Sequence, residues 1–185
     1  MNKNQIIGIN EVSNQSTWEI NTESDMVERI RERAGLSIEE FSPVMETSVE
    51  VLCKCPNPNG QNEQVAGLAL GKIQSGKTLS YTTLIALAIE NGYKNIIVMA
   101  GTKKNLVNQN LARLRRDLDL ESQLNPYLRC FQNPDLSKLS ELRNLQALGL
   151  SSLMVILKGT RRINNLRELL NNPEINSQLP TLIID

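Results

Sequence analysis

The octet Gly71-Lys72-Ile73-Gln74-Ser75-Gly76-Lys77-Thr78 constrains this chain more than any other stretch. Two glycines bracket four residues and a Lys-Thr pair follows, which is the G-x-x-x-x-G-K-[ST] pattern in full. The spacing has a physical reason. Successive backbone N–H groups wrap a triphosphate, so φ-restricted side chains are excluded where the glycines stand. Lys77 reaches the β- and γ-phosphates as a point charge, and the Thr78 hydroxyl holds Mg2+. A helix opening near Gly76 aims its positive dipole end at the phosphates. The pattern needs a strand before it and a helix after it. The apolar run Val65 to Leu70 predicts the strand, and Leu79 to Glu90, stopped by Asn91-Gly92, predicts the helix.

The rest of the second part keeps that rhythm. Asn95 to Ala100 (NIIVMA) and Leu153 to Leu157 (LMVIL) read as buried strands, and Thr181 to Asp185 (TLIID) as a last one. Lys103 to Leu118 is helical, with Val107, Leu111, Leu114 and Leu118 on one face. Asp135 caps a helix carrying Leu136, Leu139, Leu142 and Leu145, and Arg161 to Leu170 forms another, stopped by Pro173. Continuous apolar runs alternating with helices imply an α/β fold, a parallel sheet with helices on both faces.

Residues 1–60 read instead as a helical arm and linker, leaving 61–185 as the lobe. Thr22 and Asp25 have capping-box spacing before Met26 to Arg33, and Gly35 is the stop. Ser37 and Glu40 repeat the signature, with Ser42-Pro43 as an alternative restart. Met45, Val49 and Leu52 then share a face, and Pro56 to Gly60 cannot continue a helix.

A phosphate loop calls for a second element, an apolar strand ending in an acid that positions Mg2+ from across the site. Asp185 at the end of TLIID has that form. Ligands of parallel sheets sit at the carboxyl ends of strands. Two such ends share a pattern here: Gly101-Thr102-Lys103-Lys104-Asn105 follows the first buried strand, and Gly159-Thr160-Arg161-Arg162 the other. A small residue, a hydroxyl and paired cations at a helix N-terminus form a clamp for phosphate of a nucleic-acid backbone. Arg113, Arg115 and Arg116 carry less weight, because Asp117, Asp119 and Glu121 follow them.

Composition closes off other chemistries. The chain of 185 residues contains no histidine, which excludes Ser-His-Asp and Cys-His nucleophiles, an HExxH site and Cys/His zinc fingers within it. Lys+Arg and Asp+Glu each number 20, so a wholesale basic coat is excluded but a local basic groove is not. The cysteines are three, Cys53, Cys55 and Cys130. With no histidine, a four-ligand zinc site at the C-x-C pair would need a carboxylate, and reduced thiols are the expectation. An odd cysteine count without a secretory h-region points to the cytoplasm, and no run approaches a membrane span.

GLALGKIQSGKT, the apolar helix after it, the IIVMAGT strand and NLVNQNLARL together resemble the first RecA-like lobe of superfamily 2 helicases and translocases. More narrowly the chain is similar to helicase-like proteins of the Z-type-domain endonuclease group, often found with restriction and phage-defence systems. Their loop commonly reads V-Q-S-G-K-T, and CPNP before it and VILK after it also match. The resemblance covers about residues 50 to 185. It implies ATP and Mg2+ as ligands and nucleic acid, DNA before RNA, as partner. It carries Gly71, Gln74, Ser75, Gly76, Lys77 and Thr78 onto the nucleotide loop, with Thr78 and Asp185 as the metal-holding pair and Lys77 and Asp185 as catalytic. Gly101, Thr102 and Asn105 fall on the strand-end element that touches the nucleic-acid backbone, where Lys103 and Arg161 supply charge. No glutamate follows Asp185, and neither a second RecA-like lobe nor a nuclease site is present. The expectation is therefore an incomplete lobe that binds ATP and hydrolyses it barely. Two readings compete: a nucleoside or small-molecule kinase sharing the loop, and a catalytically incomplete nucleotide-binding interaction module.

Overall fold

A computed structural model of the chain describes residues 18–60, 64–67, 77–120 and 127–185. The chain divides into two compact units, Met1–Asn91 and Gly92–Asp185.

The first unit is helical. α1 (Asp25–Arg33) starts at Ser24, whose hydroxyl accepts the Val27 N–H at 3.3 Å. The cap is thus Ser24 and not Thr22, because the helix begins at Asp25 and only Ser24 stands one residue before it. Gly35, at φ +67°, ends α1: its N–H reaches the Glu32 carbonyl while Leu36 N–H reaches that of Arg31. α2 (Ile38–Cys53) opens with a complete capping box. Ser37 Oγ accepts from Glu40 N–H at 3.2 Å, and Glu40 Oε2 accepts from Ser37 N–H at 2.9 Å. Pro43 lies inside α2 and does not restart it. Its missing N–H falls in the second turn, where the strongly held first turn keeps the chain helical. Phe41, Ser48 and Leu52 are buried, and Met45 and Val49 are half-buried beside them. α3 (Lys77–Glu90) packs against α1 and α2, with Ser48 Oγ also donating to the Ser80 carbonyl at 3.2 Å. The buried Asn91 clips the end of α3 to the segment before α1, exchanging two hydrogen bonds with the Asn21 backbone at 2.7 and 2.9 Å. Gln64–Gly67 carry no strand and are exposed, so the expected strand from Val65 is absent there; Leu68 to Leu70 lie outside the described residues.

The second unit is α/β. β1 (Asn95–Met99), β2 (Leu128–Gln132), β3 (Ser151–Ile156) and β4 (Thr181–Ile184) form an all-parallel sheet in the order β2-β3-β1-β4. α4 (Lys104–Asp117) connects β1 to β2, α5 (Leu139–Ala147) connects β2 to β3, and α6 (Thr160–Leu170) connects β3 to β4. Only the first of these connections moves toward the β2 side. Right-handed crossovers therefore put α4 on one face and α5 and α6 on the other. The core agrees: Ile97, Phe131, Met154 and Ile156 pack with Leu142 and Leu145 of α5 and Leu166 and Leu169 of α6. Strand alternation turns Ile96, Val98, Leu153 and Val155 to the opposite face, where α4 buries Val107, Leu111 and Leu114.

The two central strands are buried almost throughout, which explains their unbroken apolar runs. At their amino ends a polar row crosses three strands in register. Ser152 Oγ donates to Asn95 Oδ1 at 3.0 Å, and Asn95 Nδ2 donates to Thr181 Oγ1 at 3.3 Å. β4 departs from the pattern of the centre, for Ile183 is 62% exposed. β2 is the strand the sequence reading does not contain. Its exposed Arg129 and Gln132 interrupt the buried Leu128 and Phe131, as suits a sheet edge. Asp135 caps a single 3₁₀ turn, Leu136–Lys138, rather than α5 itself, and leaves Leu136 exposed.

Candidate functional site

The expected nucleotide loop is described only where it enters α3. Gly71, Gln74, Ser75 and Gly76 lie outside the described residues. Lys77 is the first residue of α3 and Thr78 sits half-buried in its first turn. Thr82 and Thr83 donate back to the Thr78 and Leu79 carbonyls at 2.7 and 2.9 Å, so buried hydroxyls are satisfied within the helix. The first turn of α3 contains no acid, which suits an anion at that end.

In the sheet unit the remaining candidates gather at the carboxyl edge. The chain leaves β1 for α4 on one face and leaves its neighbour β3 for α6 on the other, so the two strands part at a topological switch point. The two exits are joined: Lys158 N–H donates to the Gly101 carbonyl at 2.8 Å. Gly101 turns the chain at φ +94°, a value side chains rarely adopt, whereas Gly159 is extended at φ −173°. Thr102, Lys103, Asn105 and Arg161 are all exposed here. Asp185, directly after β4, forms an ion pair with Lys158 Nζ. The acid expected to face Mg2+ thus stands beside Lys158, a cation two residues past the end of β3 that the sequence reading leaves unassigned.

The helix starts at this edge break the usual rules. Lys103 caps α4 and Gly159 caps α6, neither with a side-chain hydrogen bond. Neither first turn holds an acid. Instead Lys103 and Lys104 crowd one N-terminus and Arg161 and Arg162 the other, against the helix dipole. Among the described residues none of the four forms a salt bridge, and Arg162 alone has an acid, Asp135, near enough to attract it. Arg116, by contrast, pairs with its neighbour Asp117 at 2.7 Å, away from the edge.

Between α4 and α6 the edge opens into a cleft of about 180 Å³. Val107 and Leu157 give it an apolar floor, Asn108, Gln132 and Asn133 supply amides, and Lys104 and Arg162 stand at its sides. Gln132 Nε2 donates to Asn108 Oδ1 at 2.9 Å. Asn133, at φ +47°, accepts the Leu157 N–H on Oδ1 at 2.8 Å and so bolts the end of β2 to the end of β3. Sequence reasoning missed these amides because β2 itself was missed. The pair Asn133-Pro134 before the capping residue Asp135 was the available signal. The Ser137 hydroxyl, then its N–H, hold the Asp135 carboxyl below its ordinary range, with Arg162 adding a smaller pull.

The cysteines lie elsewhere. All three thiols are free. Cys53 and Cys55 donate to the Glu50 and Val51 carbonyls at 3.2 and 3.4 Å. Burial pushes the Cys130 thiol up to about 11, against a smaller opposing influence of Arg115. Among the described residues no three Cys, Asp or Glu side chains gather as a metal-holding group, and no helix is long and apolar enough to cross a membrane. No family model, curated protein or solved structure matches the chain.

Proposed function

We propose that this chain is the ATP-binding, RecA-like lobe of an ATP-dependent nucleic-acid translocase or helicase, cytoplasmic, acting on DNA before RNA, of the kind that accompanies restriction or phage-defence systems. One observation carries the nucleic-acid half: the N-termini of two helices open onto the carboxyl edge of the sheet without a side-chain cap or a first-turn acid, flanked by cations that form no salt bridge among the described residues. A polyanion supplies what both helix ends lack. The nucleotide half rests on the octet and on the acid-free start of α3. Gly71 to Thr78 would hold the phosphates, with Thr78 and Asp185 toward Mg2+. Bound ATP would supply the free energy of phosphoanhydride hydrolysis. Lys158 would stand as the ion-pair partner of Asp185 until the metal arrives.

Two titrations test this. Labelled single-stranded DNA is expected to bind with an affinity that falls as salt rises, and Lys103→Glu with Arg161→Glu to weaken it by about tenfold or more and flatten the salt slope by about two. Unchanged binding in that variant overturns the clamp. Calorimetry with Mg·ATP is expected to show heat that Lys77→Ala abolishes, and absence of heat in the wild-type chain overturns the nucleotide half.

A further inference from the structure

The sequence contains two Asn-Gly pairs, Asn59-Gly60 and Asn91-Gly92, and the fold gives them opposite surroundings. In such a pair the backbone nitrogen can attack the side chain before it, because glycine places no Cβ beside that nitrogen. Asn59 stands exposed in a turn. Pro58 and Asn59 are its central residues, and the Gly60 N–H closes it on the Asn57 carbonyl at 2.9 Å. Asn57 Oδ1 accepts the Asn59 backbone N–H at 2.9 Å, but the Asn59 side-chain amide makes no hydrogen bond with any described residue. Asn91 is buried, and its amide makes three hydrogen bonds. Oδ1 accepts the Asn21 N–H at 2.7 Å, and Nδ2 donates to the carbonyls of Asn21 and Leu87 at 2.9 and 2.8 Å.

We propose that Asn59 is a site of spontaneous deamidation, and that the latch to Asn21 withholds the same reaction from Asn91. At Asn59 the Gly60 nitrogen bonds to the side-chain Cγ and gives up its proton. The amide nitrogen leaves with that proton as ammonia, and a succinimide ring closes. One water then opens the ring at either carbonyl, giving aspartate or isoaspartate. The turn has only to release one surface hydrogen bond, that of the Gly60 N–H, for the attack to begin. At Asn91 the same ring requires Cγ to swing toward Gly92. That movement breaks all three amide bonds and leaves buried polar groups bare. Attack there waits for a local opening of the helical unit. The latch also has the most to lose from the product. An aspartate at this position would set a carboxylate against the Asn21 and Leu87 carbonyl oxygens, where a donor is required. At Asn59 the new carboxylate lies in an exposed turn and makes a chain of zero formal net charge more acidic.

The test is peptide mapping by mass spectrometry on the full chain, incubated at mildly alkaline pH. The Asn59 peptide is expected to convert about tenfold or more faster than the Asn91 peptide. In concentrated guanidinium chloride the two rates should converge, since the dipeptide is the same and the latch is gone. Asn59→Gln should remove the fast-forming acidic species on ion exchange and leave the Asn91 rate unchanged. Asn21→Pro, which deletes the N–H given to Asn91 Oδ1, should speed conversion at Asn91 and not at Asn59. Equal rates in the native chain, or no conversion at Asn59, overturn the site. A rate difference that survives in denaturant, or an Asn91 rate untouched by Asn21→Pro, overturns the latch.

Discussion

The helix starts of the arm and those of the sheet edge are built on opposite plans. α1 and α2 begin with serines that hold a backbone N–H, followed by Asp25 and Glu28, and by Glu39 and Glu40. α4 and α6 begin with a lysine and a glycine that make no side-chain cap bond, followed by cations and no acid. The first plan satisfies the orphaned N–H groups and the dipole from within the chain. The second leaves both to be satisfied from outside. A sequence that can place serines and acids correctly twice, and then omits them at two adjacent ends, gives up local helix stability at those ends.

Substitutions can break that comparison. The largest expected effect is at Gly101, whose turn delivers Lys103 to the edge: Gly101→Ala should cost about 1–2 kcal/mol of unfolding free energy, because φ +94° is hostile to a side chain. Gly159→Ala, extended and with nothing near its Cβ direction, should stay within about 0.5 kcal/mol. Equal costs in urea melts would remove the distinction between the two exits. Next, Ser37→Ala should lose about 1 kcal/mol, while Lys103→Asp should gain about as much and weaken strand binding. A loss of stability in Lys103→Asp would mean that the lysine supports the fold and the comparison fails. Arg161→Glu should raise stability by about 0.5 kcal/mol, read as a small rise in Tm.

The smallest effect is in acid. The Ser37 N–H, then its hydroxyl, hold the Glu40 carboxyl below its ordinary range. A depressed carboxyl contributes stability above its unfolded pKa, and loses it as pH falls through the folded value. Glu40→Gln should therefore lower Tm at pH 7, with the gap to wild type closing toward pH 3. The starts of α4 and α6 have no acid in their first turns and should show no such dependence. A gap that stays constant with pH would deny the capping box its charge.

The sequence announced what is local. β1 and β3 were legible because strands buried on both faces leave unbroken apolar runs, and Ser37-Glu40 because a capping box spans four residues. The repeated Gly-Thr-basic pattern exposed Lys103 and Arg161 for the same reason. β2 was hidden because an edge strand needs only Leu128 and Phe131 inward and tolerates an exposed Arg129 between them and an exposed Gln132 after them. With it went the cleft, whose amides meet only because a crossover lays β2 beside β3. The Lys158–Asp185 pair was hidden likewise, since it joins the segments that leave β3 and β4, two strands separated by β1.

The Ser152–Asn95–Thr181 row lies at the far end of the strands, yet it bears on the carboxyl edge. Strands that are apolar toward both faces can slide by one residue and trade one aliphatic contact for another at small cost. Sliding β3 against β1 would strand the buried polar groups of Asn95 and Ser152, which makes the polar row an index mark for strand phase. One step of slip moves a strand by about 3.3 Å, enough to part Lys158 N–H from the Gly101 carbonyl. Alignment at one end thus keeps the other end level. The exits that carry Lys103 and Arg161 stay level because an asparagine a full strand length away refuses any other setting.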